Sequence, residues 1–167
     1  VYKRQENVFS WNPLSTFDVS ATNAVASKSD TVTFDAAEDG FDVTRVQAIL
    51  TGNYSILGSG VASANVTGTL TVSYVLPSPG APSSPMTFTD IDTTTPISFP
   101  VTSAGSGTFR GIAEIVLPSG VTNFNVSFNS LISASADDSA VVDIYNQTLT
   151  IAVPEPASMA ALGTVAA

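Results

Sequence analysis

The residues best placed to do chemistry are four carboxylates in one short stretch: Asp35, Glu38, Asp39 and Asp42. Hard oxygen ligands on a single loop suit Ca²⁺, which takes six to eight of them in flexible geometry. The spacing does not follow the EF-hand loop. With Asp35 as first ligand, Ala37 stands at the third position and Val46 where the bidentate Glu belongs. Asp137 and Asp138 would add ligands if their turn shared an end of the molecule with the first loop. The alternative is a solvated acidic turn, with Gly40 supplying the positive φ.

A second candidate is Glu114, in a segment that reads as a strand. Glycoside hydrolysis needs a partner carboxylate at about 5–5.5 Å for retention or about 6.5–9.5 Å for inversion. A carbohydrate-active enzyme would therefore have to assemble Asp35, Asp39, Asp42 and Glu114 in one groove. The simpler expectation is a surface ion pair between Glu114 and Arg110, on the same strand face. Trp11, the single tryptophan, offers a sugar-stacking platform or an ordinary core or rim aromatic.

Composition narrows the chemistry further. The chain of 167 residues contains neither His nor Cys, removing the commonest general base, thiolate nucleophiles and any disulfide framework. The formal net charge is −9, which argues against nucleic acid as a partner, because phosphate neutralisation requires a basic face. Hydrophobic residues make up 44% and charged residues 11%, a balance that suits one packed domain of the secreted β type.

The elements that would carry these residues are strands. Val46, Ala48 and Leu50 alternate with Arg45 and Gln47. Between Asn65 and Leu76, Val66, Leu70, Val72, Tyr74 and Leu76 share one face, and Thr67, Thr69, Thr71 and Ser73 share the other. Such period-two patterning predicts one buried and one wet face. A threonine-lined face is normally just solvated, although such faces also bind ice or stack in fibres. Thr31–Phe34 reads as a short strand, and Gly52-Asn53 and Gly58-Ser59-Gly60 as loop punctuation. The proline-rich stretch 77–85 reads as a connection, flanked by short edge strands over 86–91 and 97–101. In 108–117 apolar residues fall on both faces, which predicts a strand covered on both sides. Phe124, Val126, Phe128 and Ile132 alternate with Asn125, Ser127 and Asn129. In 141–153, Val142 and Ile144 are out of phase with Leu149 and Ile151, which predicts a β-bulge near Asn146-Gln147. The expected fold is all-β: an antiparallel β-sandwich, jelly-roll-like or immunoglobulin-like, over residues 6–152.

The C-terminal segment is of a different kind. Val153-Pro154-Glu155-Pro156-Ala157-Ser158 runs into small and apolar residues up to Ala167. The two prolines must end the last strand at Val153. This pattern resembles the PEP-CTERM sorting signal of exopolysaccharide-producing Gram-negative bacteria. In that family Pro-Glu-Pro precedes a transmembrane helix and a cluster of arginines, and a membrane-embedded exosortase is thought to process it. A span needs about 20 apolar residues, so segment 153–167 reads as a truncated signal lacking the basic cluster. The resemblance implies export, a processing enzyme as partner, and membrane contact only through this segment. At the other end, Val1-Tyr2-Lys3-Arg4-Gln5 resembles the translated end of a transposase sequencing adaptor, so residues 1–5 read as a non-native leader.

A further resemblance covers about twenty residues. Thr33-Phe34-Asp35, the acidic turn, and Val43 through Gly52 are similar to a signature of the choice-of-anchor β domains that often precede PEP-CTERM tails, although the turn here is longer and more acidic. It implies a β domain without an assigned activity. The combined expectation is a non-enzymatic, exported β-sandwich at the cell surface or in the exopolysaccharide matrix, structural or contacting glycan. It needs no cofactor, with Ca²⁺ the one candidate ion. The rivals are a Ca²⁺-stabilised adhesin or carbohydrate-binding module, and a carboxylate-dependent carbohydrate-active enzyme.

Overall fold

The computed structural model describes residues 7–11, 18–37, 43–74, 84–88, 91–92, 100–118, 120–121 and 123–153. Within them every regular element is a strand: β1 (Asn7–Trp11), β2 (Val19–Ala37), β3 (Arg45–Gly58), β4 (Ala62–Tyr74), β5 (Ser84–Phe88), β6 (Ile91–Asp92), β7 (Gly105–Val116) and β8 (Asn123–Val153). All pairings are antiparallel. The molecule is an all-β, antiparallel β-sandwich.

Its organising strand is β8, which spans both layers. The first half of β8 runs between β4 and the second half of β2, and β5 borders β4. The second half runs between β3 on one side and β1 with the start of β2 on the other. Beyond β3 lie β7 and then β6. Strands that switch layers through a bend are a standard way to build a sandwich corner. Here β8 turns at Asp137–Ser139, and β2 turns at Asn23, whose φ is 48° and where the register shifts between Thr22 and Ala24.

Alternation places the core. Even-numbered residues of β4 (Ala62, Ala64, Val66, Leu70, Val72) and of β8 (Phe124, Val126, Phe128, Ile132, Ala134) are buried, facing Val46, Ala48, Leu50, Tyr54, Ile56, Phe109, Ala113 and Ile115 of the other layer. Removing each large side chain from water contributes about 1.5–3 kcal/mol. Mostly polar residues occupy the intervening positions and keep the outer faces wet. Val101 ties the start of β4 to the segment leading into β7, through paired backbone hydrogen bonds with Ala64 of 2.9 and 3.0 Å.

Several sequence expectations hold. The alternation in β3, β4 and β8 is observed, and β5, two residues earlier than the short edge strand expected over 86–91, lies at one end of the strand order. Of the edge strand expected over 97–101, only the isolated bridge of Val101 is described. The bulge is present too: Thr51 pairs with Thr148 and Asn53 with Tyr145, so Gly52 alone opposes both Asn146 and Gln147. Asn146 takes φ 54° and the inward phase moves from Val142 and Ile144 to Gln147, Leu149 and Ile151.

Other expectations are corrected. β2 is a long strand and not a four-residue one. Among the described residues its second half pairs only with β8, so small and polar residues suffice and no hydrophobic alternation marks it. Asp35 therefore lies inside β2, paired with Asn125, and not in a turn. Asp137 and Asp138 are likewise inside β8. Gly52-Asn53 falls within β3, where glycine answers close packing and not a turn. β7 is covered on one side only: Val116 is 74% exposed. Segment 97–99, Leu76 and residues 77–83 of the proline-rich connection lie outside the described residues, whereas Ser84 and Pro85, expected in that connection, belong to β5 and pair with Val72 and Thr71.

Candidate functional site

Of the four proposed metal ligands, only Asp35 is among the described residues; Glu38, Asp39 and Asp42 lie outside them. Asp35 stands near the end of β2 on the outer face, and its Oδ1 accepts a hydrogen bond of 2.9 Å from the Asn125 side-chain amide. Asp137 sits twelve positions along β8 from that pair, roughly 40 Å at about 3.3 Å per residue, so Asp35 and Asp137 do not share an end of the sandwich.

Asp137 has a structural task. Its Oδ2 accepts from the Val61 backbone N–H at 2.7 Å and its Oδ1 from the Ser139 N–H at 3.0 Å. Its own N–H donates to the Val61 carbonyl at 3.0 Å, and the Ser59 N–H donates to the Ser139 carbonyl at 3.2 Å. The carboxylate thereby staples the β3–β4 loop to the corner of β8. That loop reverses through Gly58 at φ 99°. Gly60 lies so close to the Asp137 carboxylate that a Cβ would collide with it. Among the described residues no group of three or more Asp and Glu is placed to hold a metal ion.

Glu114 pairs differently from expectation. It lies opposite Gln47 and diagonal to Arg45 across the β3–β7 ladder. Its Oε2 is 3.6 Å from Nη1 of Arg45 and accepts from Nε2 of Gln47 at 3.3 Å. Cross-strand proximity prevails over the four-residue separation along β7, so Arg45 and not Arg110 is the partner. Arg110 lies opposite Thr51 and Asp92. Both members of the Arg45–Glu114 pair are well exposed, so it contributes only about 0–1 kcal/mol. Asp35 and Glu114 occupy the outer faces of different layers, and the arrangement assembles no carboxylate pair from them.

What the sheet does assemble is a polar array on the outer face of the β4–β8–β2 layer. Register sets it in rows: Ser73, Asn125 and Asp35; then Thr71, Ser127 and Thr33; then Thr69, Asn129 and Thr31; and, past Thr67, Leu131 and Ser29, a row of Asn65, Ser133 and Ser27. Neighbouring rows are about 6.8 Å apart along the strands, and neighbouring strands about 4.8 Å apart. Side chains within rows bond to each other: Asn129 Nδ2 donates to Thr31 Oγ1 at 2.7 Å, and Thr33 Oγ1 to Ser127 Oγ at 3.3 Å. These bonds order the array, while hydroxyl groups retain further donor and acceptor capacity. The only carboxylate in these rows is Asp35, and no aromatic stands in them. The alternation showed the β4 and β8 parts of this face from sequence. The β2 part was hidden because nothing in Ser27–Asp35 announces its pairing partner.

The described part of β1 ends with Trp11 opposite Leu149, and β8 ends with Val153 opposite Asn7. Pro154, Glu155, Pro156, Ala157 and Ser158 lie outside the described residues, as do residues 1–5. No helix among the described residues is long and apolar enough to cross a membrane.

No protein-family model matches the chain, and no curated protein does. Among solved structures it is similar to the infectious bursal disease virus Gx strain, at 12% identity and TM-score 0.27, covering 92% of this chain and 37% of that one. The VP2 subviral particle of the same virus gives 8% identity and TM-score 0.33, with 93% and 43% covered. The Gt strain gives 10% and 0.30, with 92% and 37% covered. The chain thus spans about two fifths of the length of these capsid-virus chains. Likenesses at that level decide nothing about its chemistry.

Proposed function

We propose that this is a non-enzymatic, exported β-sandwich of the cell surface or exopolysaccharide matrix, sorted through its C-terminal segment and contacting glycan weakly through the outer face of the β4–β8–β2 layer. The observation that carries the reading is the ordered hydroxyl and amide array, whose groups match the neutral hydroxyls of a polysaccharide. Without aromatic platforms in the rows, the contacts are hydrogen bonds made in competition with water, each worth about 0.5–1.5 kcal/mol net. Useful binding then comes from repetition along an extended glycan. The net charge of −9 selects neutral over anionic polysaccharides. The Val153–Ser158 resemblance supplies the export half, with an exosortase-type processing enzyme as its partner.

The test is affinity electrophoresis of the protein through gels containing a neutral β-glucan, a mannan or anionic alginate. Retardation by a neutral glycan, lost in Thr71→Val/Asn129→Ala with the fold intact by circular dichroism, is expected. No retardation by either neutral glycan removes the glycan reading. For sorting, the full-length protein is followed by fractionation in a Gram-negative host with an exosortase. Replacing Pro154, Glu155 and Pro156 by Ala is expected to abolish processing, and unchanged processing removes the export half.

A further inference from the structure

We infer that the outer face of the β3–β8 pair carries a binding site for an amine-bearing pyranose, with the sugar ring stacked on Tyr145 and its ammonium group against Asp143. The inference rests on the glycan reading for its ligand class, but uses a different face of the sandwich. Among the aromatic side chains described, Tyr54, Phe109, Phe124 and Phe128 are buried in the core and Tyr74 packs against it. Tyr145 alone is part-buried outside that core. It stands directly before the bulge of β8, opposite Asn53 of β3, on the face away from buried Ile144. Asp143 shares that face two residues earlier, about 6.8 Å along the strand, between Ser55 of β3 and Ser20 of β2. Asp18 lies on the other flank, where its Oδ1 accepts from the Asn146 backbone N–H at 3.1 Å.

The polar groups around Tyr145 are unspent. On the opposite layer Asn129 bonds Thr31, Thr33 bonds Ser127, and Asp35 accepts from Asn125. Among the described residues no hydrogen bond or ion pair engages the side chains of Tyr145, Asn53, Ser55 or Asp143. Charge identifies the occupant. Two carboxylates beside one aromatic ring, in a chain of net charge −9, attract a cation. The arginines of this layer are matched elsewhere: Arg45 meets Glu114 at 3.6 Å, and Arg110 stands opposite Asp92 across the β6–β7 ladder. A simple alkylammonium ion would leave Asn53 and Ser55 unused, and an anionic sugar would face both carboxylates. An amino sugar uses the whole patch. Its C–H face covers the Tyr145 ring, its ammonium takes a charge-assisted bond to Asp143, and its hydroxyls pair with Asn53 and Ser55.

The test follows backbone amide shifts of the full chain by NMR, at mildly acidic pH, during titration with four probes: a glucosamine hexamer, its N-acetylated form, cellohexaose and a lysine hexamer. The glucosamine oligomer is expected to bind, with shifts centred on Asn53, Asp143 and Tyr145. The other three should bind about tenfold more weakly, as should the glucosamine oligomer to Asp143→Asn or Tyr145→Ala. Tyr145→Phe keeps the platform and should stay near wild type. Asp138→Asn makes the same charge change at the corner and should also bind like wild type, whereas diffuse attraction of a polycation would weaken both Asp variants alike. No binding of the glucosamine oligomer, shifts centred elsewhere, or equal binding of any other probe overturns the inference. Equal effects of Asp143→Asn and Asp138→Asn, or wild-type binding by Tyr145→Ala, do the same. Failure here leaves retardation by neutral glycan through the β4–β8–β2 face standing, and absence of that retardation leaves this site standing.

Discussion

Gly52 and Phe109 meet so closely that the Phe109 ring occupies the space a Cβ on Gly52 would need. Such a Cβ would stand 2.7 Å from Cε1 of that ring and 2.9 Å from Cγ of Gln147. The two residues are register partners across the β3–β7 ladder. On its other side Gly52 faces the two-residue bulge of β8. One bare position thus lets the aromatic ring and the bulge share the same volume.

Gly52→Ala should therefore destabilise the fold although it adds only a methyl group. Phe109 is fully buried and cannot swing out, so the strain falls in the typical overpacking range of about 1–3 kcal/mol. Urea denaturation should show a lower midpoint with unchanged slope. A midpoint equal to wild type would mean that the ring has room to move.

The bulge also turns Gln147 inward. Its side chain is 0% exposed, and neither Nε2 nor Oε1 has a hydrogen-bond partner among the described residues. A buried amide without partners costs about 1–3 kcal/mol. Gln147→Met keeps the length and removes both polar atoms, so it should raise the thermal midpoint. A lower midpoint would show that the amide is satisfied in solution, for instance by an internal water.

How far this was legible in the sequence depended on which residues carried the pattern. The phase change from Ile144 to Leu149 showed the bulge because large aliphatic side chains mark the inward face on both sides of it. Gly52 could not be read the same way, since a glycine forced by close packing looks like one that serves a turn. β2 was largely invisible: Ala26, Lys28 and Asp30 say nothing about a buried face, and only pairing with β8 makes the segment a strand. The Glu114 partner was missed because it depends on the register between β3 and β7, which no local spacing encodes. Asp137 and Asp138 resembled a turn because the corner of a layer-switching strand uses turn residues.

Asp137 offers a test of that corner. Asp137→Ala removes the acceptors for two backbone N–H groups, Val61 at 2.7 Å and Ser139 at 3.0 Å. Hydrogen bonds to a charged acceptor contribute about 1.5–3 kcal/mol each, less where solvent can replace them as at this exposed corner. A net loss of about 1–2 kcal/mol is expected on the same scale, with hydrogen exchange accelerated first at Val61 and Ser139. Asp137→Asn retains one acceptor oxygen and should fall between alanine and wild type. Exchange at Val61 unaltered by the alanine variant would remove the staple.

The last prediction concerns Ca²⁺. Asp35 is held in β2 by its hydrogen bond from Asn125, and Asp137 is committed to the corner about 40 Å away along β8. Neither geometry supplies the convergent oxygen set that Ca²⁺ requires. Excess Ca²⁺ should leave the thermal midpoint of the full chain where EDTA leaves it. A ligand confined to the folded state at a hundredfold excess over its Kd would add about 2.7 kcal/mol, an effect too large to overlook. An upward shift with Ca²⁺, reversed by EDTA and lost in Asp39→Asn/Asp42→Asn, would put a metal site on the segment after β2 and favour the adhesin. The same shift persisting in that variant would move the site to other carboxylates.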